Sequence, residues 1–400
     1  MGNRTTACCI AFGNSSECFI GDLARKQANR DNPNFVFNIK KMLGKKYSEI
    51  SFDRPFTIVR KKGDIPLISV AYQGQKKEYS SVELCSMLLF KIKANAESYL
   101  KASISSAVLS VPTYFGEAER SALVEASRIA GINVKALIEE PIAAAIAYGL
   151  DKQNYPSRKI ALVFHWGGST FQASLLGISN SGDLCVIGTV TDEFLGGDAI
   201  DAKLLEYFSR KIKDERGVDI VNSTSVRRLR FACEYAKKSL QFKQTTEIEI
   251  DDLVKDYDCY QQLTRGQFDL INQELFKKCY KHIEHLLHET KVEKKNVDAI
   301  ILSGGTSRLI TAQDLHVFFG SKCEVLDTIN PEEVIAHGVT VVSRYSDEKN
   351  EGERANVNQN IMSFRTDRPS VFGKYRKVIK IILRVIILIS VLLSCYIFSR

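Results

Sequence analysis

Three glycine pairs in this chain are followed by hydroxyl or acidic residues: Gly167-Gly168-Ser169-Thr170, Gly196-Gly197-Asp198 and Gly304-Gly305-Thr306-Ser307. Such turns suit one kind of chemistry. Phosphate oxygens are held by backbone N–H groups, and only glycine lets a backbone approach them without a Cβ in the way. Hydroxyls and a lysine then reach the outer oxygens. One Gly-Gly pair is usually no more than a turn. Three of them, each at the end of an apolar run, point to phosphate binding.

The elements that must position these turns alternate between strand and helix signals. Ala107 to Val111 is a short apolar run ended by Pro112, and a helical pattern follows from Glu117 to Ala130 with Gly131 as its stop. Val134 to Ile138 leads into Glu139-Glu140-Pro141, where the proline can open a helix that ends at Gly149. In the second half, Ile160 to Phe164 runs through the first glycine turn and resumes as Phe171 to Ile178, a hairpin. Ala299 to Leu302 ends in the third glycine turn before another helical stretch. The alternation predicts an α/β fold of two similar lobes.

Composition narrows the function classes. The chain has 400 residues, 44% hydrophobic and 26% charged, which fits an ordinary globular protein of more than one domain. Its ten cysteines show no repeated C-x-x-C spacing, so neither a zinc site nor a redox motif is expected. The net charge of +8 is concentrated after residue 350, where nine Lys/Arg face three acids. The nearly neutral remainder excludes a nucleic-acid binder. His282, His285 and His288 recur every third residue and read as a solvated helix face. Trp166, the single tryptophan, reads as packing beside the first glycine turn.

Five ordered motifs carry a resemblance. VPTYFGEAER (Val111–Arg120), IEEPIAAAIAYGLD (Ile138–Asp151), VRRLRFACEYAKKSL (Val226–Leu240), LSGGTSRL (Leu302–Leu309) and INPEEVIAHG (Ile329–Gly338) are similar to the nucleotide-binding domain of the 70-kilodalton heat-shock chaperones, the DnaK family. The likeness runs from Gly2 to about Ser346. It implies an actin-like, ribonuclease H-like ATPase fold, with residues 1–155 as a first lobe and 156–346 as a second. It further implies ATP or ADP with Mg²⁺, and J-domain co-chaperones and nucleotide-exchange factors as partners. Carried over residue by residue, Lys40 takes the place of the lysine that orients the γ-phosphate. Glu140 takes that of a carboxylate acting on the magnesium hydration shell, and Thr170 that of the hydroxyl beside the terminal phosphate. These three are the candidate catalytic residues. Glu234, Lys237 and Lys238 match residues that hold the adenosine. Gly304, Gly305, Ser307 and Arg308 close over its base, and Glu332 completes the nucleotide site with Gly167, Gly168, Ser169, Gly196, Gly197 and Asp198.

The chain departs from the family at several of these positions. The family opens with a hairpin bearing Asp-Leu-Gly-Thr-Thr, whereas Gly2-Asn3-Arg4-Thr5-Thr6 resembles a motif further inside it. A first lobe without that hairpin and with unpaired strand edges is therefore expected. Where the family reads Asp-Leu-Gly-Gly-Gly-Thr-Phe-Asp, this chain has His165-Trp166-Gly167-Gly168-Ser169-Thr170-Phe171-Gln172. Both acids are replaced, and an imidazole is a poor ligand for a hard cation. Gln241 stands where the family has a serine. The expectation is weakened or absent hydrolysis with residual nucleotide binding. Alternatives are a pseudo-ATPase scaffold that docks co-chaperones, or a truncated gene product.

Where the family carries a peptide-binding domain, this chain is expected to carry a polar and basic linker (347–376) and a membrane anchor (377–400). Ile381 to Phe398 reads IILRVIILISVLLSCYIF, with one charge, near the lower limit of a bilayer span. Arg384 would snorkel to the headgroups. Lys374, Arg376, Lys377 and Lys380 precede the run, which puts the nucleotide-binding domain on the cytoplasmic side of a tail-anchored protein. Met1-Gly2-Asn3-Arg4-Thr5-Thr6 fits a myristoylation pattern but is read as an inherited family segment.

Overall fold

A computed structural model describes residues 5–13, 17–28, 34–51, 56–152 and 155–348. The linker beyond residue 348 and the apolar run at 381–398 lie outside the described residues. No helix among the described residues is long and apolar enough to cross a membrane.

The first part of the chain runs β1 (Cys9–Phe12), β2 (Cys18–Ile20), α1 (Asp22–Ala28), β3 (Phe35–Phe37), α2 (Ile39–Met42), β4 (Thr57–Lys61), β5 (Ile65–Tyr72), β6 (Gln75–Tyr79) and α3 (Ser81–Leu100). It continues through β7 (Ser106–Val111), α4 (Glu117–Ile129), β8 (Asn133–Glu139) and α5 (Glu140–Ala147). Then follow β9 (Lys159–Trp166), β10 (Phe171–Ile178), β11 (Leu184–Asp192), α6 (Gly197–Arg216), α7 (Ser223–Ser239), β12 (Thr245–Val254), β13 (Tyr257–Thr264) and α8 (Arg265–Thr290). The described part closes with β14 (Ala299–Ser303), α9 (Ala312–Phe319), β15 (Glu324–Leu326) and α10 (Val334–Glu348). The α/β class expected from the alternating signals is the one observed.

The sheet that carries the glycine turns has the order β11-β10-β9-β14-β15. Its first three strands are antiparallel, and β9, β14 and β15 are parallel. All eight positions of β10 are buried, as a strand covered on both faces requires. Alternation sorts the side chains of β9. Leu162, Phe164 and Trp166 enter the core under α6, α7 and α8, while Ala161 and Val163 enter the core under α5 and α10. His165 shares the second face. In register, it lies opposite Gln172 on β10 and beside Ser303 on β14. The strand period therefore aims both replaced positions at the N-terminus of α5, where Pro141 opens the helix directly after Glu140.

Helices α5 and α10 meet backbone to backbone. A Cβ at Gly338 would stand 1.7 Å from the carbonyl oxygen of Ala143. Gly338→Ala is expected to push the helices apart and lower stability by about 3 kcal/mol, an overpacking penalty at the upper end of the usual range. Urea denaturation checks this. Strands β7 and β8 pair with each other and with no other strand among the described residues.

Two smaller expectations resolve differently. Trp166 is fully buried, donates from Nε1 to the Leu195 carbonyl at 3.0 Å and packs edge-on against Phe164 and Phe276. The histidine row is only partly a solvated face, because Asp192 on β11 attracts its first member. His285 and His288 are exposed, but His282 lies 3.0 Å from Asp192 Oδ2 and stacks on Phe171. No group of residues that could hold a metal ion occurs among the described residues.

Candidate nucleotide site

The three glycine turns come together. The Gly167–Thr170 turn between β9 and β10 is closed by Gly167 N donating to the Thr170 carbonyl at 2.9 Å. The carbonyls of Gly167 and Gly168 accept from the first amides of α6, Gly197 N at 3.0 Å and Asp198 N at 2.7 Å. Thr306 Oγ1, from the third turn, also donates to the Gly167 carbonyl at 2.9 Å. Glycine is required at two of these contacts. A Cβ on Gly196 would sit 2.4 Å from the Ser169 backbone. Gly304, at φ +83°, would place one 2.5 Å from the Trp166 carbonyl. With its carbonyls tied down, the turn leaves the amides of Gly168, Ser169 and Thr170 without a backbone or side-chain acceptor among the described residues. That arrangement is an anion cradle.

Beside His165, two residues before the cradle, is a charged pair from the first half of the chain. Lys40 on α2 donates to Glu140 Oε1 at 2.7 Å; the lysine side chain is half exposed and the glutamate mostly covered. Burial opposes the Lys40 charge, but the adjoining carboxylate outweighs it and raises the ammonium pKa. Burial likewise opposes the Glu140 charge, and Lys40 holds that carboxyl below its ordinary value. Its neighbour Lys41 reaches the carbonyls of Ser169, at 3.3 Å, and Glu193. Lys45 pairs with Glu193 at 3.2 Å. Glu140, His165, Gln172 and Ser174 line one small cavity with room for about one water. His165 Nδ1 is 3.0 Å from Ser303 Oγ, and burial pushes the imidazole pKa down, so the ring is neutral at pH 7. Gln172 donates from Nε2 to Thr113 Oγ1 at 2.7 Å and Ser174 Oγ at 3.2 Å.

On α7, Glu234 receives Lys238 at 2.9 Å and pairs with Arg25 of α1, a bridge between the two halves of the chain. Burial works against the Glu234 charge, but these cations pull its carboxyl down to about 2. A depressed acid stabilises the fold above its unfolded pKa and loses that contribution as pH falls through the folded one. The wild type should therefore lose about 1–2 kcal/mol between pH 4.5 and 2 through this group, after allowance for partial exposure. Glu234→Gln should lose that segment of the stability–pH curve, measured by denaturant titration. Lys237 is drawn in beside the second glycine turn. It is 6% exposed, 2.7 Å from Asp201 Oδ2 and 3.0 Å from the Gly197 carbonyl.

The third turn collects the remaining candidates. Gln241 Nε2 donates to the Gly305 carbonyl at 3.2 Å. Ser307 Oγ closes on the Gly304 carbonyl at 2.7 Å and is fully buried. Arg308 donates to Asn330 Oδ1 at 2.6 Å and lies over the exposed Phe242 ring at 5.6 Å. Glu332 packs on Gly305. Sequence reasoning did not single out Arg25, Lys41, Thr113, Asp201 or Ser303. Only Lys41 carried a local signal, as the neighbour of Lys40.

Comparison with known proteins agrees with this geometry. The family described as "Hsp70 protein" matches residues 1–351. A "Heat shock cognate 70 kDa protein 3" of Dictyostelium discoideum is 40% identical over 351 residues, covering 85% of this chain and 55% of that protein. A "Heat shock 70 kDa protein 2" of Paracoccidioides lutzii is 40% identical over 347 residues, 85% of this chain and 52% of that protein. A ribosome-associated molecular chaperone of Candida glabrata is 38% identical over 347 residues, 85% of this chain and 56% of that protein. The chain spans about half the length of the curated relatives it matches. With an anion cradle built from three glycine turns and this matched extent, the chain belongs to the Hsp70 family.

Proposed function

We propose that the protein is an Hsp70-type nucleotide-binding module that holds ATP or ADP in the cleft between Lys40 and the glycine turns and hydrolyses ATP slowly or not at all. The observation that carries this reading is the cross-strand pair His165–Gln172, neither of which is charged at neutral pH, beside a cradle with free amides. The cradle, Lys40, Thr170 and the α7 side chains bind and orient the nucleotide. The cleft offers no free carboxylate as general base: Glu140 is paired with Lys40, and His165 and Gln172 stand where the family has acids. Residues 1–155 and 156–346 act as the two lobes of this module. The same pair favours a second reading, a scaffold that docks J-domain co-chaperones and exchange factors without any turnover.

Calorimetric titration with ATP tests the binding claim. Saturable one-to-one binding supports the first reading, and no saturation at millimolar ATP removes it and leaves the scaffold.

The reading includes a tether at the C-terminus, for which the support is the run Ile381–Phe398 with its basic flank. It places the module on the cytoplasmic face of a membrane. The full chain should float with liposomes in a density gradient, and a chain ending at Arg376 should stay at the bottom. Equal flotation of the two would remove the tether.

A further inference from the structure

We infer that this cleft takes a nucleoside polyphosphate whose charge is balanced by lysines and backbone amides, with no requirement for a divalent cation. The inference rests on the nucleotide-binding reading above and deepens it.

The Hsp70 family implies magnesium beside the phosphates. Magnesium and its ordered waters are held by anionic oxygens. In this protein the donor set does not match that need. Glu140 is the one carboxylate lining the cavity it shares with His165, Gln172 and Ser174, and Lys40 already sits 2.7 Å from it. His165 offers nitrogen rather than oxygen, and its Nδ1 is engaged with Ser303. Gln172 turns its amide nitrogen to Thr113 and Ser174 and carries no charge. The further carboxylates near the cradle fit no better. Glu193 pairs with Lys45, and burial raises the Asp198 carboxyl pKa against the pull of Lys237 and Lys41. The residues present do not fit a hydrated divalent cation.

They do fit a bare polyphosphate. Lys40 and Lys41 are adjacent on α2, and Lys41 already touches the cradle at the Ser169 carbonyl. Lys40 is half exposed, so its ammonium, which carries three donors, can take a phosphate oxygen while it stays paired with Glu140. Two ammonium groups and the amides of Gly168, Ser169 and Thr170 together supply the countercharge and donors that a cation would otherwise provide.

The test is calorimetric titration of ATP and of ADP into the full chain, once in magnesium chloride and once in excess EDTA. The dissociation constants should agree within about threefold, a difference too small for a bridging cation. Binding that weakens at least about tenfold in EDTA overturns the inference and leaves the nucleotide-binding reading standing. No binding under either condition overturns both. As a second arm, the His165→Asp/Gln172→Asp double variant should acquire a magnesium dependence of at least about tenfold. A folded double variant that stays indifferent to magnesium shows that these two side chains do not set the requirement, and overturns the inference. The titrations on the unaltered chain decide the question even where the double variant does not fold.

Discussion

Replacing Lys237 by methionine is expected to lower the unfolding free energy by about 3–5 kcal/mol at neutral pH, the penalty of leaving a buried charge without its partner. Lys237 and Asp201 are both more than nine-tenths buried and lie 2.7 Å apart. Lys237 also holds the Gly197 carbonyl, so the substitution removes a donor from the start of α6. The remaining Asp201 oxygen, Oδ1, has no partner among the described residues, which leaves the carboxylate poorly satisfied once the lysine is gone. The effect has a sign with pH. Burial raises the Asp201 pKa to about 6 even with Lys237 beside it. A raised acid contributes stability below its unfolded pKa and loses it as pH rises through the folded value. In the variant that pKa climbs further, so the carboxyl takes up a proton in mild acid and the penalty shrinks. Urea unfolding should show a larger loss at pH 8 than at pH 5. Lys237→Met combined with Asp201→Leu should recover most of the lost stability, because removing both charges avoids the orphan.

Lys40→Met is expected to weaken ATP binding by about 10- to 100-fold, the range of one charge-assisted hydrogen bond of about 1.5–3 kcal/mol. Two effects add. The variant loses the ammonium beside His165, and it exposes phosphate to Glu140, whose carboxylate Lys40 had neutralised. Without Lys40, burial outweighs the remaining pull of His165 on Glu140 and its pKa rises, so part of the lost affinity should return as pH falls toward 5. Lys40→Met/Glu140→Gln should bind more tightly than Lys40→Met. Competition titration against a fluorescent ADP analogue at pH 5.5 and 8 separates the two contributions. A purely structural role for the pair would lower the melting temperature and leave affinity per folded molecule unchanged.

Much of this arrangement is legible in the amino-acid order. The glycine turns at 167, 196 and 304 each end or begin an element, and the chemistry that forces glycine at Gly196 and Gly304 is close backbone approach between turns. Period-two alternation along β9 puts His165 on the face of α5. What the order does not carry is partner choice across the sheet and between helices. Ser303 meets His165 only because β14 pairs in parallel with β9, a contact 138 residues apart. Asp201 and Lys237 come from two helices, and no local spacing links them. Lys237 reads on its own as a cleft lysine or a solvated one, and its burial against Asp201 and Gly197 is visible only in the fold. Arg25 bridges to Glu234 from an element whose charge pattern looks like any surface helix. The three-residue recurrence reads His282 as part of a solvated row, and Asp192 draws it inward.

Single-turnover hydrolysis tests the central claim most directly. The full chain is mixed with a trace of radiolabelled ATP, with magnesium present, and the bound nucleotide is separated and identified over hours. The account predicts that bound label persists as ATP, because the cleft positions the nucleotide but offers no free carboxylate to serve as base at His165 or Gln172. Rapid conversion of bound ATP to ADP, abolished in Lys40→Ala, would contradict it.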